Sequence, residues 1–148
     1  MSKTLRLILG DQLNSLHSWF STVDDSVTYV MMEVRTETDY ASHHIQKIVG
    51  FFSAMQQFAS EIQSKNHQLI YISLNDTNNL QSFEKNIQNL VQKEQFTHFE
   101  YQFPDEYRLD EQLKNLCQSL LITTSVCDSE HFMSSRNELG DFFEGKKT

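Results

Sequence analysis

Five short runs rich in apolar, β-branched and aromatic residues alternate along this chain with stretches of helical character. The runs are residues 5–9, 27–33, 68–73, 97–102 and 121–126. Between the second and third, residues 41–64 carry Ile45, Ile48, Phe52, Met55 and Ala59 at spacings of three and four, the period of an amphipathic helix. Helices are predicted likewise at 79–93, 105–120 and 134–143, the one at 105–120 opened after Pro104 by the acids Asp105 and Glu106, which suit a helix N-terminus. A helix between two strands carries the chain back across the sheet, so successive strands run parallel. The expected fold is α/β: an open, parallel five-stranded sheet with helices on both faces. Residues 10–26 break the alternation. They are predicted to form a polar, irregular link holding His17, Trp19, Phe20 and Asp24-Asp25.

The 148 residues fit a single domain spanning 1–148, a size that buries roughly 70% of its unfolded surface. No apolar stretch approaches the roughly 20 residues of a membrane span. Lys3 and Arg6, with Gly10-Asp11 soon after, do not make a secretory leader. The expected setting is cytoplasmic, with no membrane contact. The net charge of −8 and a single basic run, Lys146-Lys147, disfavour direct nucleic-acid binding, which needs clustered cations. Cys117 and Cys127 read as reduced, buried thiols.

Ligands of open α/β sheets bind at the carboxyl ends of the strands, and polar residues gather at two such ends. The first strand runs into Gly10-Asp11-Gln12-Leu13. Here glycine permits close backbone approach, and Asp and Gln offer an acceptor and an amide. The same residues also suit a simple turn. The second strand runs into Glu33-Val-Arg-Thr-Glu37-Thr-Asp-Tyr40, whose carboxylates can bind a polar ligand, pair with Arg35 or do acid–base work. His43-His44 and the segment from Cys127 to His131 lack the spacing and number of ligands that zinc requires. Neither phosphate-loop pattern is present, nor is a nucleophile elbow, so no catalytic residue is expected.

The segments L-I-L-G-D-Q-L (7–13), M-E-V-R-T-E-T-D-Y (32–40), H-H-I-Q-K-I-V-G-F-F-S-A-M (43–55) and F-P-D-E-Y-R (103–108) together resemble one family. It is the N-terminal antenna domain of bacterial photolyase-related proteins, the iron–sulfur branch of the cryptochrome/photolyase family that includes prokaryotic (6-4) photolyases. The resemblance runs through the whole chain in order and spacing. It implies a Rossmann-like domain that holds an antenna chromophore, 6,7-dimethyl-8-ribityllumazine. It implies that FAD, a [4Fe–4S] cluster and the DNA-lesion pocket belong to a C-terminal flavin domain of the same flavoprotein, and two cysteines cannot supply a four-thiolate cluster. By the same resemblance Gly10, Asp11, Gln12 and Leu13 form one rim of the antenna pocket, and Glu33, Glu37 and Tyr40 the other. Glu37 is the first choice for bonding the lumazine ring or its ribityl chain. Lys47 and Phe51 lie one turn apart on the facing helix, and Phe51, if aimed inward, narrows the pocket.

The expected function is that of an antenna-chromophore-binding domain, in a protein of light-dependent DNA repair or blue-light sensing. This fragment alone is expected to be inactive and to meet DNA only through the flavin domain. The alternatives are a stand-alone small-ligand domain or nucleotide-type hydrolase using Glu33 and Glu37, and a scaffold with an empty pocket. Phe132, Met133, Leu139, Phe142 and Phe143 crowd the last 17 residues. Within residues 127–148 they predict an apolar patch that docks a partner domain; in the fragment they predict either self-association through that patch or a poorly ordered tail.

Overall fold

The computed structural model describes residues 2–39 and 44–145. Its strands are β1 (Thr4–Leu7), β2 (Val27–Met32), β3 (Gln68–Ile72), β4 (His98–Gln102) and β5 (Thr123–Cys127). Its helices are α1 (Arg35–Thr38), α2 (Ile45–Ser64), α3 (Phe83–Glu94), α4 (Tyr107–Ser119) and α5 (Glu138–Phe143). All pairings are parallel, in the order β3-β2-β1-β4-β5. The chain therefore starts in the middle of the sheet, builds to one edge, and returns past β1 to build the other. This is the α/β, Rossmann-like arrangement that the alternating pattern predicts. The order reverses at β1, and the crevice at such a reversal is where open sheets hold ligands.

Each face of the sheet has its own core. On one, Leu5, Leu7 and Phe99 meet Ile87 of α3 and Leu113 and Leu116 of α4. On the other, Ile8, Tyr29 and Met31 meet Met55, Phe58 and Ile62 of α2. β2 faces both cores, which is why its sequence is apolar throughout rather than alternating.

The link 10–26 is more than a loop. A 3-10 turn at Ser18–Phe20 drives Trp19 into the α2-side core. His17 is buried beneath it: its Nδ1 accepts from the Trp19 N–H at 3.1 Å, so the proton sits on Nε2, 3.0 Å from the Asp128 carbonyl that receives it. The Tyr29 hydroxyl donates to the Trp19 carbonyl at 2.6 Å, and the Arg6 guanidinium lies over the indole, 4.9 Å from its centre. The link completes the cover that α2 leaves open. Sparse aromatics in a polar segment carry no period, so this packing does not show in the pattern.

Several boundaries differ from expectation for local reasons. β1 stops at Leu7, although the Ile8 N–H still bonds the Val30 carbonyl at 3.0 Å. α2 is described from Ile45, with the His44 side chain accepting from the Gln46 N–H as its cap; 41–43 lie outside the described residues. α3 begins at Phe83 and not at 79. The Asn86 side chain takes the Leu80 N–H at 2.8 Å and donates to Asn79, while Gln81 adopts φ 60°, which a helix does not allow. β5 is displaced to 123–127, leaving Leu121 wholly exposed. The four-residue α1 was not expected. Both cysteines are free and half-buried, and burial holds the Cys127 thiol up at about 12 and raises that of Cys117. Among the described residues no helix is long and apolar enough to cross a membrane.

Candidate ligand cleft

A cleft of about 220 Å³ opens above the carboxyl end of β1. The β1 turn contributes Gly10 and Asp11, α1 contributes Glu37 and Thr38, and the segment entering α4 contributes Glu106. The first turns of α2 form the wall opposite, with Lys47 and Phe51 on one stripe and Phe52 and Met55 deeper. Apolar side chains thus line the interior, and charged groups stand at the rim. Residues on α2 at i and i+4 share a face, so one helix delivers both the Lys47 ammonium and the Phe51 ring.

Phe51 lies directly on Gly10. A Cβ at position 10 would collide with the Phe51 ring and stand 2.9 Å from the Met55 sulfur. The absence of a side chain at Gly10 is what lets the ring down onto the β1 turn. Phe51 is nevertheless 41% exposed, so its outer side borders open space.

The rim is acidic and cross-tied. Arg108, at the start of α4, donates through Nη2 to Glu37 Oε1 at 3.1 Å and through Nε to Glu106 Oε1 at 2.8 Å. Burial raises the Glu37 carboxyl above its ordinary range against the opposing pull of Arg108, with the like charges of Glu106 and Asp11 adding to the rise. Asp11 is raised as well, chiefly by burial, against a hydrogen bond from its own backbone, with Asp105 and Glu106 adding to the rise and His131 opposing it. Asp11 is exposed in area, so desolvation counts for less there than at Glu37. Three carboxylates against Lys47 and Arg108 suit a ligand that presents N–H or O–H donors to the rim and a flat apolar body to the interior.

Gly10, Asp11, Glu37, Lys47 and Phe51 are therefore brought to one cavity. The remaining residues of the predicted pocket are not. Gln12 is 2% exposed; its Oε1 accepts from the Leu9 N–H, and its Nε2 donates to the carbonyls of Gln102 and Phe103. It ties the ends of β1 and β4 together and is spent on that. Leu13 packs into the α2-side core. Glu33 is buried on the β3 side, where Oε1 accepts from Gln56 and Tyr71 and Oε2 from the Leu74 N–H. It extends β2, and strand geometry turns it to the α2 face, whereas the chain turns at Val34 and aims Glu37 over β1. Tyr40 and His43 lie outside the described residues. Sequence reasoning passed over Phe52, Glu106 and Arg108. Phe52 continues the apolar stripe of α2, while Glu106 and Arg108 stand in the F-P-D-E-Y-R segment, where their spacing had no evident partner.

A family model described as deoxyribodipyrimidine photo-lyase-related protein matches residues 6–148. The chain is also 29% identical, over 145 residues, to a protein of Agrobacterium fabrum (strain C58) described as a (6-4) photolyase. That alignment takes in 97% of this chain and 29% of the relative, so the chain spans less than a third of the relative's length.

Proposed function

We propose, for a chain that belongs to the family of deoxyribodipyrimidine photolyase-related proteins, that the cleft above β1 seats an antenna chromophore of the 6,7-dimethyl-8-ribityllumazine type. When bound, that group supplies absorption of short-wavelength light, with the excitation passed to a flavin. The observation that carries the reading is the cleft itself: apolar walls, an acceptor-rich rim, and a place at the point where strand order reverses. The residues fit such a group in chemistry. Glu37 and Asp11 accept from its ring N–H or ribityl hydroxyls, Lys47 donates to a ring carbonyl, and Phe52 and Met55 flank its plane. Its width is the constraint. A cleft of about 220 Å³ is below the roughly 300–1,000 Å³ usual for ligand sites. Binding therefore requires the Phe51 ring to lift from Gly10.

FAD, the [4Fe–4S] cluster and DNA-lesion contact are assigned to a further part of the protein, since two cysteines cannot hold a four-thiolate cluster. The role is in light-dependent repair or blue-light sensing. A hydrolase built on Glu33 and Glu37 has no support, because Glu33 is fully engaged and faces away.

Titration of the purified chain with 6,7-dimethyl-8-ribityllumazine tests the assignment. Glu37→Ala is expected to weaken binding by about 1–3 kcal/mol, the scale of a lost charge-assisted hydrogen bond. An unchanged affinity would move the site elsewhere. The chain alone is expected to give no light-dependent repair and no salt-dependent retardation of lesion-containing DNA. Repair above a protein-free control would overturn the division of labour.

A further inference from the structure

We propose that Arg108 is the positioning residue of the cleft: by holding Oε1 of Glu37 from across the rim, it presents Oε2 of the same carboxylate to an N–H or O–H donor of the ligand. The inference rests on the antenna reading for the identity of that ligand, and on geometry for the rest. Glu37 stands on α1, a single four-residue turn that buries none of its residues. Such an element cannot fix a side chain by packing. Arg108 belongs to α4, a thirteen-residue helix anchored in the core through Leu109, Leu113 and Leu116. The 3.1 Å bond from Nη2 to Glu37 Oε1 thus ties an acceptor on this short turn to a helix held in the core. The guanidinium is oriented in turn by Glu106, whose two oxygens receive Nε at 2.8 Å and Nη2 at 3.4 Å. No described residue donates to Glu37 Oε2. Glu37 lines the cleft and Arg108 does not, so the arginine acts through the carboxylate rather than by touching the ligand.

Charge follows from the same contact. The groups facing Glu37 are Asp11 from the β1 turn, Glu106 and Arg108 from the entry to α4, and Lys47 from α2, with Arg35 on its own turn. Without Arg108, three carboxylates would share a half-enclosed rim with one ammonium. Glu37, already raised by burial, would then hold its proton further toward neutrality and become a donor where the ligand needs an acceptor.

The test compares Arg108→Gln and Arg108→Lys with the unaltered chain in two measurements. In the first, the side-chain carboxyl carbons of ¹³C-glutamate-labelled protein are titrated by NMR without ligand, Glu37→Gln assigning the signal. The midpoint of Glu37 is expected to rise by about one unit or more in Arg108→Gln, and by less in Arg108→Lys, which keeps the charge and loses the planar fork. In the second, lumazine affinity is measured from pH 4 to 9. Arg108→Gln is expected to bind more weakly, with the pH below which affinity falls moved upward by the same shift as the Glu37 midpoint. An unmoved Glu37 midpoint overturns the proposal. So does an affinity that is unchanged, or that falls by one factor at every pH, the mark of mere structural damage. If the unaltered chain takes up no lumazine, the antenna reading fails, and the carboxyl titration still decides the role of Arg108.

Discussion

At the scale of single residues, the cleft trades stability for acceptors. A carboxyl whose folded pKa stands above its ordinary value binds its proton more tightly in the folded state than in the unfolded one. Its contribution to stability is present below the unfolded value and is lost as pH rises through the folded one. Glu37, raised above 4.5, therefore costs the unliganded protein stability at neutral pH. Glu37→Gln is expected to melt about 1–3 °C higher at pH 7, with the difference gone at pH 4, while binding lumazine more weakly. Thermal melts at the two pH values check the sign, and a variant that melts lower at pH 7 would contradict it. The ring on Gly10 makes a second trade. Phe51→Ala removes the side chain that binding must displace, so lumazine affinity should rise roughly fivefold, for about 1 kcal/mol of contact no longer broken. Gly10→Ala forces the ring outward permanently, with a stability loss of about 1–3 kcal/mol by overpacking, read from urea denaturation.

Among the elements, the strands were legible because their signal is local: short, β-branched, and bounded by polar residues. α2 was legible for the same reason, whereas Lys47 and Phe51 were singled out by the family resemblance, and their spacing of four puts them on one stripe of that helix. What the pattern hid was the work of amides. Asn79, Leu80 and Gln81 continue the helical spacing of α3 backwards, yet Asn79 donates to the Glu33 and Ser73 carbonyls and accepts from the Gln81 N–H, a closed turn that hydrophobic period cannot see. Gln12 and Glu33 were read as ligand groups for a related reason. A polar residue at a strand end is equally suited to a ligand or to the backbone of the next strand, and only the sheet order decides. Gln12→Ala should leave the Leu9 N–H and the Gln102 and Phe103 carbonyls short of a partner, at a cost of about 1–3 kcal/mol. A shift in the urea midpoint of that size, with the slope unchanged, is the expected result.

For the whole molecule, the terminal segment is pinned by polar contacts and leaves its apolar groups outside. The His131 ring meets Asp105 at 3.0 Å, and Arg136 reaches Asp110 at 3.2 Å while lying over Phe103. Phe132, Met133, Phe142 and Phe143 remain exposed; the Leu139 side chain is outside the described residues. Exposed apolar clusters of this kind associate, so sedimentation of the purified chain is expected to show a concentration-dependent dimer that Phe142→Ser/Phe143→Ser abolishes. A strictly monomeric chain would argue against it. The placement of β1 has a consequence in time as well. Arg6 and Glu100 pair at a separation of 94 residues, and the central strand has its second neighbour only when β4 exists. At the usual pace of synthesis of about 5–20 residues per second, that is a wait of roughly 5–20 s. During it Leu5 and Leu7, among the most deeply buried side chains of the finished protein, stand half-sheltered beside β2 at best. Until β4 is made, that wait makes the β1 segment a natural client for a chaperone that holds apolar segments.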